Sequence, residues 1–141
     1  MLILNADGGC FPNPGQGSYG FVAKRDGRVL YRKSEQIGYA TNNIAEWRGA
    51  LAALDYAIGY TIAYQDERAV TLLMDSQLVV HQLTGRWRTK NAGLKPLQIE
   101  GAKRVQALRE QGVTVTVRWV PRAHNHEADA LTGRPSTIWN G

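Results

Sequence analysis

Cysteine is nearly absent. Cys10 is the only one in 141 residues, so the chain can form no internal disulfide and assemble no thiolate metal site. Long apolar runs are missing too, with nothing near the roughly 18 residues of a membrane span. The opening MLILNADGG has neither the basic flank nor the length of a secretory signal. No linker, internal repeat or low-complexity stretch interrupts the chain. These absences predict a soluble, cytoplasmic protein with one domain spanning residues 1–141, which at this length buries roughly 68% of the surface its unfolded form exposes. They call for no membrane and no obligate protein partner. Cys10 itself reads as a small residue in a turn.

Charge is present but unevenly placed. The net charge is +5, and between Arg86 and Arg104 six cations (Arg86, Arg88, Lys90, Lys95, Lys103, Arg104) face the single acid Glu100, while acids and bases elsewhere cancel. A neutral body with one basic segment suits a polyanion held beside a negative pocket. A solvated helix face is the competing reading.

Hydrophobic periodicity divides the chain. An apolar strand, Leu2 to Ala6, precedes the loop GGCFPNPGQG, whose glycines and prolines argue against regular structure. Strands over Tyr19 to Lys24 and Val29 to Gln36 flank an Asp26-Gly27 hairpin signal. From Asn43 the period becomes helical, with Ile44, Trp47, Leu51, Leu54 and Ile58 forming a stripe. A short strand, Ala69 to Met74, leads into a helix over Ser76 to Leu83. A third helical stripe runs through Leu94, Leu97, Gly101, Val105 and Leu108, and Val113, Val115, Val117 and Trp119 alternate as a last strand. A final helix starts near Asn125 and is stopped by Gly133 and Pro135. Strands first in a meander, then alternating with helices, predict an α/β fold with a mixed sheet and covered faces.

Four acids fall at element ends on this map: Asp7 after the first strand, Asp75 after the fourth, and Glu46 and Asp129 in the first turns of their helices. Each has an ordinary explanation. Asn43 and Glu46 have capping-box spacing, Asp75 with Ser76 fits a helix cap, Asp129 complements a helix dipole, and Asp7 suits a turn. In open α/β sheets, however, ligand sites lie beyond the carboxyl ends of strands. If the first and fourth strands are parallel neighbours, Asp7 and Asp75 stand side by side, and converging carboxylates suit hard divalent cations.

The phrases ADGGCFPNPGQGSYGFV, TNNIAEWRGALAAL, MDSQLVVHQLTGRWRTKN and WVPRAHNHEADAL, in this order and spacing, resemble the type 1 ribonuclease H family from about Leu2 to Leu131. The resemblance implies the ribonuclease H-like fold: a five-stranded mixed sheet, first three strands antiparallel, helices on both faces. It also implies an endonuclease that cuts the RNA strand of RNA–DNA hybrids, leaving 5′-phosphate and 3′-hydroxyl ends. The family's metal-binding acids fall on Asp7, Glu46, Asp75 and Asp129. Two Mg2+ ions, with Mn2+ as substitute, would sit about 3.5–4 Å apart, one activating water and the other stabilising the leaving oxygen. Asp7 is expected to be shared by both ions, with Asp75 and Asp129 flanking it. Glu46 is expected to serve metal and the RNA 2′-hydroxyl.

Substrate choice falls to other residues. A hybrid offers a wide, shallow minor groove with 2′-hydroxyls on one strand. Gly8, Gly9 and Cys10 would let the main chain approach a ribose. Asn13, Asn42, Asn43 and Gln77 resemble the family's groove-contacting amides, with turn and cap duty as the alternative for the asparagines, and Thr41 resembles its DNA-phosphate contact. Trp87, between Arg86 and Arg88, reads equally as a support for the DNA strand or as a lid over the core. The short interval from Leu83 to Leu94 leaves no room for the basic protrusion of some members. The compact VPRAHN resembles a shortened-loop branch in which Arg122, in preference to His124, assists catalysis. His81 and His126 read as surface residues. Two rival functions stand beside the hybrid-specific one: a looser nuclease that also cuts RNA–RNA duplexes, and a hybrid-binding module without turnover.

Overall fold

The computed structural model describes residues 1–132. The expected helix stop at Gly133 and Pro135 lies outside them. Five strands, β1 (Leu2–Cys10), β2 (Gly15–Arg25), β3 (Arg28–Ala40), β4 (Ala69–Met74) and β5 (Thr114–Trp119), form one sheet in the order β3-β2-β1-β4-β5. The first three are antiparallel, and β4 and β5 run parallel to β1. Four helices complete the fold: α1 (Asn42–Ala63), α2 (Gln77–Leu83), α3 (Lys95–Glu110) and α4 (His126–Leu131). No helix among the described residues is long and apolar enough to cross a membrane.

The β2–β3 hairpin turns on Asp26 (φ 52°) and Gly27 (φ 76°). Two successive positive φ values match the right-handed twist of the flanking strands, which explains the Asp-Gly signal.

Three expectations need correction. First, β1 does not end before Gly8: Gly8, Gly9 and Cys10 pair with Tyr19, Ser18 and Gly17, so only residues 11–14 of the expected loop lie outside strands. Cross-strand pairing with β2 outweighs the weak strand preference of the glycines. Second, α1 begins earlier than expected, because the Thr41 side chain caps it by accepting from Ile44 N at 3.3 Å. Glu46 is therefore in the second turn and closes no capping box. Third, the buried face of α1 contains the expected stripe but is wider than it. Trp47, Leu51 and Leu54 are buried, but so are Ala45, Gly49, Ala50, Ala53 and Ala57, while Ile44 and Ile58 are only partly covered. Small residues let the helix axis come close to the sheet.

Side-chain parity shows how the helices divide. A Cβ added at Gly8 would lie 2.1 Å from the Ala45 carbonyl oxygen in α1; one at Gly20, the cross-strand partner of Asp7, would lie 2.4 Å from Leu131 Cβ in α4. Neighbouring strand residues point to opposite faces, so α1 and α4 cover opposite faces of the sheet. At Gly101 of α3 an added Cβ would lie 2.7 Å from the Trp47 ring and 2.9 Å from Leu83, so α2 and α3 join α1 on its face. The core fills the space between: Leu4, Leu72, Met74, Trp47, Leu54 and Leu108 are fully buried. Trp47 satisfies its indole N–H by donating to Gln82 Oε1 at 2.9 Å.

Candidate metal and nucleic-acid site

Ala6 pairs with Met74 across the parallel β1–β4 ladder. The next residues on the two strands are Asp7 and Asp75, side by side at the carboxyl end of the sheet. β4 stops there because α2 begins, capped by Ser76, whose hydroxyl accepts from Val79 N at 3.2 Å. Capping is thus the work of Ser76, and Asp75 is left for the site.

Glu46 arrives from α1. The helix crosses β1 at two glycines, Gly8 and Gly49, and a Cβ at Gly49 would lie 2.8 Å from the Asp7 carbonyl oxygen. That approach lets Gly8 N donate to Glu46 Oε1 at 3.3 Å. Carboxylate oxygens of Asp7, Glu46 and Asp75 all lie within 4.8 Å of one another. Asp7 is fully buried and Glu46 is 7% exposed. Three hard oxygen donors converging at that spacing fit a divalent cation of the Mg2+ or Mn2+ kind.

Asp129 stands outside this trio and is joined to it by Arg122. The guanidinium Nη2 donates to Asp129 Oδ1 at 3.4 Å, and Nε lies 3.9 Å from Asp75 Oδ2. Arg122 belongs to a single 3-10 turn, Arg122–His124. His124 shares that turn but is exposed, and no hydrogen bond or ion pair joins its ring to the acids.

The placement of α4 rests on a residue that sequence reasoning used only as a helix start. Asn125 is 1% exposed; its Nδ2 donates to Ala6 O at 2.8 Å and its Oδ1 accepts from Asn5 Nδ2 at 3.0 Å. The amide therefore ties the start of α4 to β1 one residue before Asp7, instead of capping the helix. Lys24 of β2 adds an ion pair to Glu127, and its ammonium holds that carboxyl below the usual range. Thr132 Oγ1 donates to Asp129 O at 2.7 Å.

Of the expected substrate contacts, Asn42 and Asn43 line a cleft with the acids and Asn13 and Thr41 an adjoining one, whereas Gly8, Gly9 and Cys10 are buried. Asn42 Oδ1 accepts from Cys10 N at 2.9 Å, and Asn13 Oδ1 accepts from Asn42 N at 3.1 Å, which locks the β1–β2 connection onto the start of α1. Cys10 is buried, its Sγ 3.4 Å from both asparagine oxygens. The missing side chain at Gly8 is required by α1. Two clefts share Asn43. One, of about 290 Å3, joins it to Glu46, Asp75 and Arg122; the other, of about 400 Å3, joins it to Asn13, Thr41 and Asn91. Asn91 had no distinguishing sequence signal, because it sits in an irregular connection. Gln77 is exposed at the start of α2. Trp87 is 45% exposed with its ring against His81, 4.5 Å between centroids, so it is a surface ring and not a lid. The basic segment divides: Arg104 pairs with Asp55 and Glu100 and Lys103 with Glu100, whereas Arg86, Arg88, Lys90 and Lys95 are exposed in or beside the α2–α3 connection.

Comparison with known proteins places this geometry in a family. The family model described as RNase H matches residues 1–136. The bifunctional protein Rv2228c of Mycobacterium tuberculosis is 42% identical over 134 residues, covering 92% of this chain and 34% of that protein. Ribonuclease HI of Halobacterium salinarum is 36% identical over 126 residues, covering 89% and 59%. The chain thus spans about a third of the first relative and under two thirds of the second. Among solved structures, the N-terminal RNase H domain of Rv2228c superposes with a TM-score of 0.81 at 40% identity, covering 94% of this chain and 90% of that one. LC11-RNase H1 in complex with an RNA/DNA hybrid gives 0.79 at 29% identity, covering 94% of each.

Proposed function

Since the chain belongs to the RNase H family, we propose that it is a divalent-metal-dependent endoribonuclease that hydrolyses the RNA strand of RNA–DNA hybrids to 5′-phosphate and 3′-hydroxyl products. The observation that carries this reading is the convergence of Asp7, Glu46 and Asp75 within 4.8 Å where β4 ends beside its parallel neighbour β1. Asp7, Glu46 and Asp75, with Asp129 beside them, would hold two cations. When bound, these supply activation of water and charge stabilisation at the departing oxygen.

The chain's own groups do the remaining work. The Gly8 N–H fixes the orientation of Glu46. Arg122 holds Asp75 and Asp129 in register and brings a positive charge to the place where a scissile phosphate must lie. The amides of Asn13, Asn42, Asn43 and Gln77 meet the minor groove, where 2′-hydroxyls mark the RNA strand. Thr41 and its neighbours in the larger cleft receive a phosphate of the DNA strand, and Trp87 with Arg88 supports that strand farther along.

The test is cleavage of a hybrid labelled separately on each strand, with Mg2+ or Mn2+, beside RNA and DNA duplexes of the same sequence. Cutting of the RNA strand of the hybrid, with the DNA strand intact, is expected. Binding without cutting would leave a hybrid-binding module, and cutting of DNA would refute the assignment.

A further inference from the structure

A cleft of about 280 Å3 lies between the end of α2 and the outer edge of β5, lined by His81, Thr84, Arg86, Val117, Arg118 and Trp119. Nothing in the reading above uses it, yet it adjoins the site. The Trp119 indole, 43% exposed, donates from Nε1 to the Asp75 carbonyl oxygen at 3.2 Å, so the ring is anchored to a residue of the carboxylate trio. Arg86 and Arg118 are exposed at the cleft, and neither guanidinium makes an ion pair or side-chain hydrogen bond among the described residues. His81 Nδ1 likewise has no hydrogen-bond partner among the described residues.

An indole anchored to Asp75, lining the same cleft as two guanidinium groups that make no ion pair among the described residues, suits a base and its phosphate. The volume admits about one nucleotide and excludes a duplex. In a duplex, moreover, the faces of the bases are covered by their stacked neighbours, so a ring inside a cleft can engage only an unpaired base. The strand within reach is the one at Asp75, which on the proposed function is the RNA.

Resting on that reading, we propose that the α2–β5 cleft is a subsite for one unpaired nucleotide of the RNA strand flanking the cleaved segment, its base against Trp119 and its phosphate between Arg86 and Arg118. The enzyme would then favour hybrids whose RNA continues beyond the paired region over blunt ones.

The experiment measures Kd by fluorescence anisotropy in the Asp7→Asn chain, which removes turnover. Three hybrids share one paired core: blunt, with a short unpaired 3′ RNA extension, and with a 5′ extension. The readout is the ratio of blunt to extended Kd within one variant, so a general loss of charge or stability cancels. One polarity is expected to bind at least about fivefold tighter than blunt, the low end of what one base stacked on an aromatic ring contributes. Arg118→Ala and Trp119→Leu are each expected to bring that ratio back toward one. A ratio below about twofold for both polarities, or a gain that survives both substitutions, overturns the subsite. Cleavage of the blunt hybrid by the unsubstituted chain reports separately on the proposed function.

Discussion

Replacing Asp7 by Asn should make the metal-free protein more stable while removing its response to divalent cations. Asp7 is fully buried, and oxygens of Glu46 and Asp75 lie within 4.8 Å of its own. Two unit charges at that separation repel by about 3 kcal/mol at an effective dielectric of about 20. Arg122, 3.4 Å from Asp129 and 3.9 Å from Asp75, offsets part of the field. A net gain of about 1–3 kcal/mol is therefore expected for Asp7→Asn in the presence of a chelator, or about 3 °C in Tm per kcal/mol for a chain of this size. With Mg2+ at about a hundred times its Kd, the unsubstituted protein gains about 2.7 kcal/mol by mass action. The variant, lacking one of the proposed ligands, is expected to gain little, so the two stabilities draw together or cross. Urea unfolding followed by tryptophan fluorescence, with chelator and with Mg2+, measures both quantities. An Asp7→Asn protein no more stable than its parent in chelator, or equally stabilised by Mg2+, would refute the idea that these carboxylates are gathered for a cation.

Gly101→Ala would place a methyl group 2.7 Å from the Trp47 ring and 2.9 Å from Leu83, so a destabilisation of about 1–3 kcal/mol is expected in the same unfolding assay. Glu127, paired with Lys24, has its folded-state pKa below its ordinary value of 4.5. The pair's contribution is therefore complete above about that pH and is lost as pH falls through the lower, folded value. Tm measured against pH should show Glu127→Gln below the unsubstituted protein at neutral pH, with the two curves merging on acidification; a gap that widens toward acid would contradict the sign. With Arg86, Arg88, Lys90 and Lys95 as the main phosphate contacts, log Kd for a hybrid should change with log salt by a slope of about 3 to 4. A slope near zero, read from anisotropy titrations at several salt concentrations, would show that this segment stays off the nucleic acid.

The strand and helix order was legible because each element carries its own local signal, as the Asp26-Gly27 turn and the alternation over Val113 to Trp119 show. The pairing of Asp7 with Asp75 was legible only conditionally. Nothing local says that β1 and β4 are neighbours, but once they are, register places the acids together. Other features were hidden because they depend on tertiary contact. The glycines of ADGGC look like loop residues until β2 pairs with them and α1 lies on Gly8. Asn125 resembles a helix cap in sequence, and only the packed fold shows its amide turned to Ala6 and Asn5. Likewise the run of cations from Arg86 to Arg104 reads as one patch, although Asp55, distant in sequence, neutralises Arg104.

The site owes its geometry as much to absent side chains as to the acids. Glu46 reaches Asp7 because α1 crosses β1 at backbone contact distance, which Gly8 and Gly49 allow; any side chain at either position would push the helix, and Glu46 with it, away from the sheet. On the other face, Gly20 does the same for α4 at Leu131, two residues beyond Asp129. Position 20 is also the cross-strand partner of Asp7, so one strand pair sets the approach of both helices. Carboxylates from segments separated by tens of residues therefore converge through close backbone approach, and Arg122 and Asn125 hold the last of them in place. On this reasoning, a larger residue at 8, 20 or 49 would damage the site through the distance between helix and sheet while leaving all four acids in the chain.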